Sequence, residues 1–276
     1  MMGESVTLER ITRLDYGKVA DRLAEFVRGM VSSASAEGVV LGVSGGVDSA
    51  AALALAVKAL GPDAVLALIL PDSSVTPMED VEHAHMLVEK FNVSYKTIDI
   101  KPIVDAYLAA SGEMPDRKSL GNLRARIRMS LLYLYANMEN RLVMGTGDRS
   151  EILIGYFTKY GDGAADMHPL GCLYKSQVRR LALHLGVPRE VAFKPSSPRL
   201  WPGQMAEEEL GLSYDEIDLI LYALFDLKLK PEEAAAATGL EIWKVRKVLE
   251  LHEASRHKRE PPPVPPVEEY VRPYYL

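Results

Sequence analysis

The feature that most constrains this chain is a short run of buried character, Gly38 to Val43 (GVVLGV). It passes through Ser44-Gly45-Gly46 straight into an Ala- and Leu-rich stretch from Val47 to Leu60. A β-branched run of that length bounded by glycines reads as a buried parallel strand. The Ala- and Leu-rich stretch reads as a helix, stopped by Gly61-Pro62. The same alternation continues with a strand at Ala64 to Leu70 (AVLALIL), a helix at Met78 to Phe91 and a strand at Ser94 to Ile100. A helical region from about Leu120 to Met138 then leads into a strand at Arg141 to Met144, and an amphipathic helix at Val19 to Val31 precedes the whole series. Strands alternating with helices predict an α/β fold: a doubly wound, mostly parallel sheet with flanking helices, joined by right-handed crossovers. Ligands in such sheets sit beyond the carboxyl ends of the strands where strand order reverses, which directs attention to the loops after Val43 and Met144.

Beyond Gly155 the pattern changes. Tyr156 to Leu173 is rich in Gly and Asp and reads as a long functional loop; Gln177 to Leu185 is a helix; residues 194–207 are irregular; helices recur from Ser213 to about Arg256. The chain is expected to be a single domain over residues 1–276. It has a nucleotide-binding core at about 15–185, a helical C-terminal region at about 208–258 and a proline-rich, extended tail at 261–276. With 32 basic and 38 acidic side chains the net charge is −6, which argues against a nonspecific nucleic-acid binder. Cys172 is the only cysteine, so an internal disulfide and a multi-cysteine zinc site are excluded, and a reducing, cytoplasmic location is expected. The charged N-terminus lacks a signal-peptide core. No run approaches the roughly 20 apolar residues of a membrane span. His83 and His85 stand two residues apart on a helix, where side chains diverge, and are expected at the surface rather than on a metal.

The segment Gly42-Val43-Ser44-Gly45-Gly46-Val47-Asp48-Ser49 carries the chemistry. Its glycines let the backbone approach a ligand closely, and the helix after it turns its positive end toward the loop. Successive amides in such a turn form a concavity suited to a pyrophosphate. Ser44 and Ser49 add hydroxyls, and Asp48 suits the Mg²⁺ that accompanies a triphosphate. A plain capped turn needs none of these side chains together. The G-x-x-x-x-G-K-[ST] loop of kinases and ATPases is absent, and Gly145-Thr146-Gly147-Asp148-Arg149-Ser150 only partly mimics a dinucleotide fingerprint. The sequence SGGVDS at 44–49 resembles the signature of the ATP pyrophosphatase superfamily. Its members cleave ATP between the α- and β-phosphates, adenylate a substrate oxygen and let a nucleophile displace AMP.

Further motifs narrow the resemblance. Gly145 to Glu151 (GTGDRSE) runs into Gly155 to Gly163 (GYFTKYGDG), then Asp166 and Pro169-Leu170. Gly121 to Met129, Leu173-Tyr174-Lys175, Glu209 to Asp218 and His257-Lys258-Arg259 complete the set at consistent spacing. Over about residues 15–260 the chain resembles ammonia-dependent NAD synthetases. The resemblance implies that Gly42, Val43, Ser44, Gly45, Gly46, Val47, Asp48 and Ser49, with Thr146, Lys175 and Ser197, bind ATP. It also implies that Asp48 and Glu151 hold Mg²⁺, and that Arg126, Lys159, Asp166, His257 and Lys258 contact deamido-NAD. Basic side chains are natural partners for that substrate's pyrophosphate and carboxylate. The implied reaction joins the nicotinate carboxylate to AMP and then to ammonia, giving NAD, AMP and pyrophosphate in the final step of NAD biosynthesis. Lys175 is expected to steady phosphate charge and Asp162 is the candidate to accept a proton from ammonium; the resemblance implies a homodimer, and no nucleic-acid or membrane partner is expected.

Arg124 and Arg128 are expected on a solvated helix face. The sequence departs from the family's common GTDHAAE, which changes the turn before Glu151. It also has Ser197 where Thr is usual, and Met205-Ala206 where a Thr-Asp pair is common. Free ammonia is the expected donor because the chain has no room for a glutaminase domain, although a separate glutaminase partner is compatible with it. Two rival readings are a GMP synthetase-like or tRNA-modifying relative and a helix-turn-helix regulator built on Lys230 to Leu251. The second is weakened by Glu232, Glu233, Glu241 and Glu250.

Overall fold

A computed structural model describes residues 5–265; the tail expectation for 261–276 therefore lies largely outside the described residues. Helices α1 (Leu8–Thr12) and α2 (Tyr16–Ser33) lead into β1 (Gly38–Gly42), α3 (Val47–Leu60), β2 (Val65–Ile69), α4 (Met78–Lys90) and β3 (Ser94–Thr97). Next come α5 (Lys101–Ser111), α6 (Arg117–Met138), β4 (Arg141–Val143) and α7 (Arg149–Ile154). The remainder is helical: α8 (Lys175–His184), α9 (Arg189–Ala192), α10 (Ala206–Leu210), α11 (Tyr214–Leu221), a π-helical turn (Tyr222–Asp226), α12 (Pro231–Thr238), α13 (Ile242–Ala254) and α14 (Arg256–Arg259).

The strands form one parallel sheet in the order β3-β2-β1-β4, with Val39 beside Val65 on one side and Leu142 on the other. The period-two alternation of a strand sends Val39, Leu41, Val65 and Ala67 into one core with α2, α3 and α8, and Val40, Leu66 and Leu68 into a second core with α5 and α6. Helix α3 is Ala-rich for a packing reason. It is buried from Ala50 to Ala56 in the first core, and small side chains let neighbouring elements approach it. The C-terminal helices close a third core around Tyr214, Ile217, Leu221 and Val245. The segment 230–251 is folded into that core through Ala234, Val245 and Val248, so its apolar residues serve internal packing.

Helices α5 and α7 escape a reading by periodicity. The former begins Lys101-Pro102, with Pro in the first turn where it is tolerated. The latter hides in GTGDRSE. Asp148 is its N-cap and Glu151 its reciprocal partner, a capping box. The third strand is shorter than its sequence suggests, because Ile98 and Ile100 already bond to Ile69 and Pro71 outside the regular ladder.

Candidate active site

Chain order runs outward from β1 to β2 and β3 and then returns to β4 on the other side of β1, so the strand order reverses between β1 and β4. The loops beyond those two strands border a cleft of about 480 Å³. All of Gly42 to Ser49 line it, with Thr146, Glu151, Asp162, Ser197 and Lys258. Gly45 is required twice over. Its φ is +78°, and a Cβ there would lie 2.2 Å from the carbonyl oxygen of Asp80, in the first turn of α4. Ser49 is spent inside the loop: its hydroxyl accepts from the Ser44 amide at 3.1 Å and donates to the Gly46 carbonyl at 3.0 Å. Ser44 is exposed, its hydroxyl 3.2 Å from that of Ser49.

Behind the loop lies a charged knot. Lys175, without exposed surface, donates to Asp48 at 2.6 Å and to Glu151 at 2.8 Å, and its Nζ lies 2.9 Å from Asp148 Oδ2 without hydrogen-bond alignment. Burial disfavours the ammonium, but the three carboxylates outweigh it and hold Lys175 well above its ordinary range. Burial raises Asp148 and Glu151 in turn, against the pull of Lys175. Lys175 stands behind the cleft wall, where it gathers Asp48 and Glu151, which line the cleft, and the buried Asp148. Sequence reading misses Asp148, whose capping-box spacing to Glu151 is the available signal.

Asp162 belongs to the tight Thr158–Gly163 turn, where it accepts from the Thr158 amide at 2.8 Å. Solvent reaches it, yet surrounding protein crowds it, and that burial raises its pKa against the Thr158 hydrogen bond. Lys258 donates to the carbonyls of Gly155 and Phe157, both at 2.7 Å, and burial lowers its pKa. Ser197 donates to the Gln204 carbonyl.

The other expected substrate contacts lie off the cleft wall. Arg126 is exposed and donates to the Lys159 carbonyl at 3.3 Å, while Lys159 donates to the carbonyl of exposed His257 at 2.5 Å. Asp166 accepts from Tyr133 at 3.1 Å and from the Val143 amide at 2.7 Å, so it fastens the end of β4. Burial beside that carboxylate pushes the Tyr133 phenol up to about 12.

One expectation needs correction. Arg124 and Arg128 do not lie on a solvated helix face. Arg124 is buried and pairs with Asp72 at 2.5 Å; Arg128 lines the cleft and donates to the Leu70 carbonyl at 2.9 Å, with burial lowering its pKa to about 10. They stand four residues apart on α6 and so share a face, which is turned inward. His83 is half-buried against Lys194 at 2.8 Å, and His85 contacts Thr97 at 2.8 Å. Lys194 and Arg199, which no motif singles out, pair with Asp80 at 2.6 and 2.7 Å and bring two cations to the cleft beside the glycine loop.

Comparison with known proteins adds the chemistry that such a site performs elsewhere. Residues 19–262 match the family described as NAD synthase. An NH(3)-dependent NAD(+) synthetase of Hyperthermus butylicus is 68% identical over 260 residues, 94% of each chain. One of Aeropyrum pernix is 57% identical over 98% of this chain and 96% of its own. Among solved structures, an NMN synthetase from Francisella tularensis superposes with a TM-score of 0.81 at 38% identity, covering 92% of this chain and 99% of that one. An NH3-dependent NAD synthetase from Campylobacter jejuni, in complex with nitrate, gives 0.76 at 33% identity, covering 91% and 99%.

Proposed function

This chain belongs to the NAD synthase family, and on that premise we propose that it amidates deamido-NAD with ammonia, using ATP and releasing NAD, AMP and pyrophosphate. The observation that carries the reading is the meeting of the Gly42–Ser49 loop, with Asp48, and Glu151 at one cleft, both acids tied to Lys175 behind its wall. In the first step the nicotinate carboxylate oxygen attacks the α-phosphorus of ATP and the bond to pyrophosphate breaks. The glycine loop receives the departing diphosphate, with Arg128, Lys194 and Arg199 as nearby positive charge. In the second step ammonia attacks the acyl carbon, the bond to AMP breaks, and AMP leaves with the electron pair. Asp162, its carboxyl raised by burial, accepts a proton at the nitrogen.

The acids fit a divalent ion. Asp48 and Glu151 both line the cleft, and Asp48 Oδ1 is buried without a hydrogen-bond partner. Among the described residues no group of three or more His, Cys, Asp or Glu is arranged for a metal. Two carboxylates completed by phosphate oxygens and water suit Mg²⁺, which keeps several waters. Bound there, it would neutralise charge on the leaving pyrophosphate.

The dinucleotide is long enough to need more than the cleft. Arg126, Lys159, Asp166 and His257 lie outside it, and on α6 Leu134 and Met138 are 51% and 68% exposed, as an apolar face awaiting a second copy would be. A homodimer fits both facts. No helix among the described residues is long and apolar enough to cross a membrane, in keeping with a cytoplasmic enzyme.

Incubation with ATP, Mg²⁺, ammonium and deamido-NAD is expected to yield NAD, AMP and pyrophosphate in equal amounts; ADP with phosphate, or no NAD, overturns the reading. Nicotinic acid mononucleotide belongs in the same assay, because the Francisella protein is an NMN synthetase, and preferential turnover of it would reassign the substrate. Asp162→Asn is expected to slow amide formation at limiting ammonium; an unchanged rate removes its role as proton acceptor.

A further inference from the structure

A second, smaller compartment of about 250 Å³ adjoins the cleft. Thr146, Glu151, Phe157, Asp162 and Lys258 line both spaces and form the partition; Gly147, Ile152, Gly163, His168 and Arg259 belong to the smaller one alone. Its volume lies just below the roughly 300–1,000 Å³ of ordinary small-molecule sites and above that of a cavity that admits benzene, about 150 Å³, so the chemistry of its wall and not its size selects the ligand.

The chemistry of its wall favours a hydrogen-bond donor. The cations there are largely engaged: Lys258 gives two of its three N–H groups to the Gly155 and Phe157 carbonyls, and Arg259 donates to the Leu153 and His252 carbonyls and the Ser255 hydroxyl. The remaining character is that of an acceptor, from the carboxylates of Asp162 and Glu151 and from His168, whose Nδ1 is buried with no hydrogen-bond partner. Burial lowers the His168 pKa, which favours the neutral ring and leaves one nitrogen free to accept.

The compartment is also built by the chain. A Cβ on Gly145 would lie 2.4 Å from the His168 ring, and one on Gly163 would lie 2.3 Å from Phe157. Side chains at either position would evict the rings that wall it.

We propose that this compartment admits and holds the nitrogen donor, ammonia or ammonium, and delivers it past Asp162 and Thr146 to the acyl carbon. The inference rests on the amidation reading. Its physical motive is order: the donor is needed only after ATP and the dinucleotide have reacted in the main cleft, where both bulky groups still stand in the way.

Gly147 offers the cleanest test. It lines the small compartment and not the cleft, has no positive φ, and a Cβ there would meet only ordinary contacts, the nearest being His168 Nδ1 at 3.5 Å. Gly147→Leu is expected to raise the KM for ammonium about tenfold or more, and Gly147→Ala less, while deamido-NAD-dependent exchange of pyrophosphate into ATP, measured without ammonium, stays at the wild-type rate. An unchanged ammonium KM in Gly147→Leu, or an equal loss of exchange, overturns the proposal. Should Gly147→Leu fail to fold, His168→Leu and His168→Asn decide: the first is expected to raise the ammonium KM and the second, which keeps an acceptor, to rescue it. Equal values for the two would exclude a role for His168. If the wild-type protein itself shows no exchange with deamido-NAD, the amidation reading fails, and that result is separate from any effect on ammonium.

Discussion

A lysine without exposed surface persists only where its charge is answered. Lys175 is answered by Asp48, Asp148 and Glu151, and it stacks over the Tyr214 ring at 4.9 Å. Lys175→Met would fill a similar volume and leave three crowded acids with no cation. Removing one partner of a buried charge pair costs about 3–5 kcal/mol, and a loss of that order is expected in denaturant unfolding, together with loss of adenylation. A variant as stable as wild type would mean that the acids take up protons at little cost. Three members of this knot are legible in the sequence, because Asp48, Glu151 and Lys175 sit in recognisable motifs. Asp148 is missed: its capping-box spacing to Glu151 marks it as a helix cap, but only the fold brings Lys175 against it.

At the scale of elements, the site depends on how α7 ends. Gly155 caps it at φ +68°, and a Cβ there would lie 2.0 Å from Ser255 Cβ, at the junction of α13 and α14. That approach lets Lys258 reach the Gly155 and Phe157 carbonyls and so brings the last described helix to the cleft. Gly155→Ala adds both the left-handed strain and the clash, and is expected to cost more than about 1 kcal/mol in stability. A thermal melt checks this, and an unshifted midpoint would show that α14 yields freely. Periodicity locates nearly every long helix to within a few residues. It misses α5 and α7, whose identity rests on capping and on contacts distant in sequence, and it cannot tell that the Arg124–Arg128 face of α6 turns inward.

At the scale of the whole molecule, Asp218 of α11 joins parts of the chain far apart in sequence. It is fully buried, accepts from Ser150 of α7 at 2.5 Å and from the Ser176 amide of α8 at 2.8 Å, and so ties the C-terminal helices to the sheet-bearing core. Burial, partly offset by those two hydrogen bonds, lifts its pKa from 3.8 to about 7. Between those values the folded protein keeps a proton that the unfolded chain has lost, so this group's contribution to stability declines as pH rises from 3.8 to about 7. Asp218→Asn keeps a carbonyl for the Ser176 amide and an amino group for the Ser150 hydroxyl. It is expected to flatten that part of the decline in melting curves recorded across the window; identical pH dependence in both proteins would place the Asp218 carboxyl in its ordinary range.

The sequence by itself determined the alternation of strands and helices, the glycine loop at the end of β1 and the family, because short-range patterning and ordered motifs suffice for those. Only the tertiary structure decided that Lys175 stands behind the cleft wall, that Lys194 and Arg199 come to the loop through Asp80, and that a small compartment lies beyond Asp162. Each of these depends on side chains brought together from distant parts of the chain, where burial and charge compensation fix the outcome and local propensity has no say.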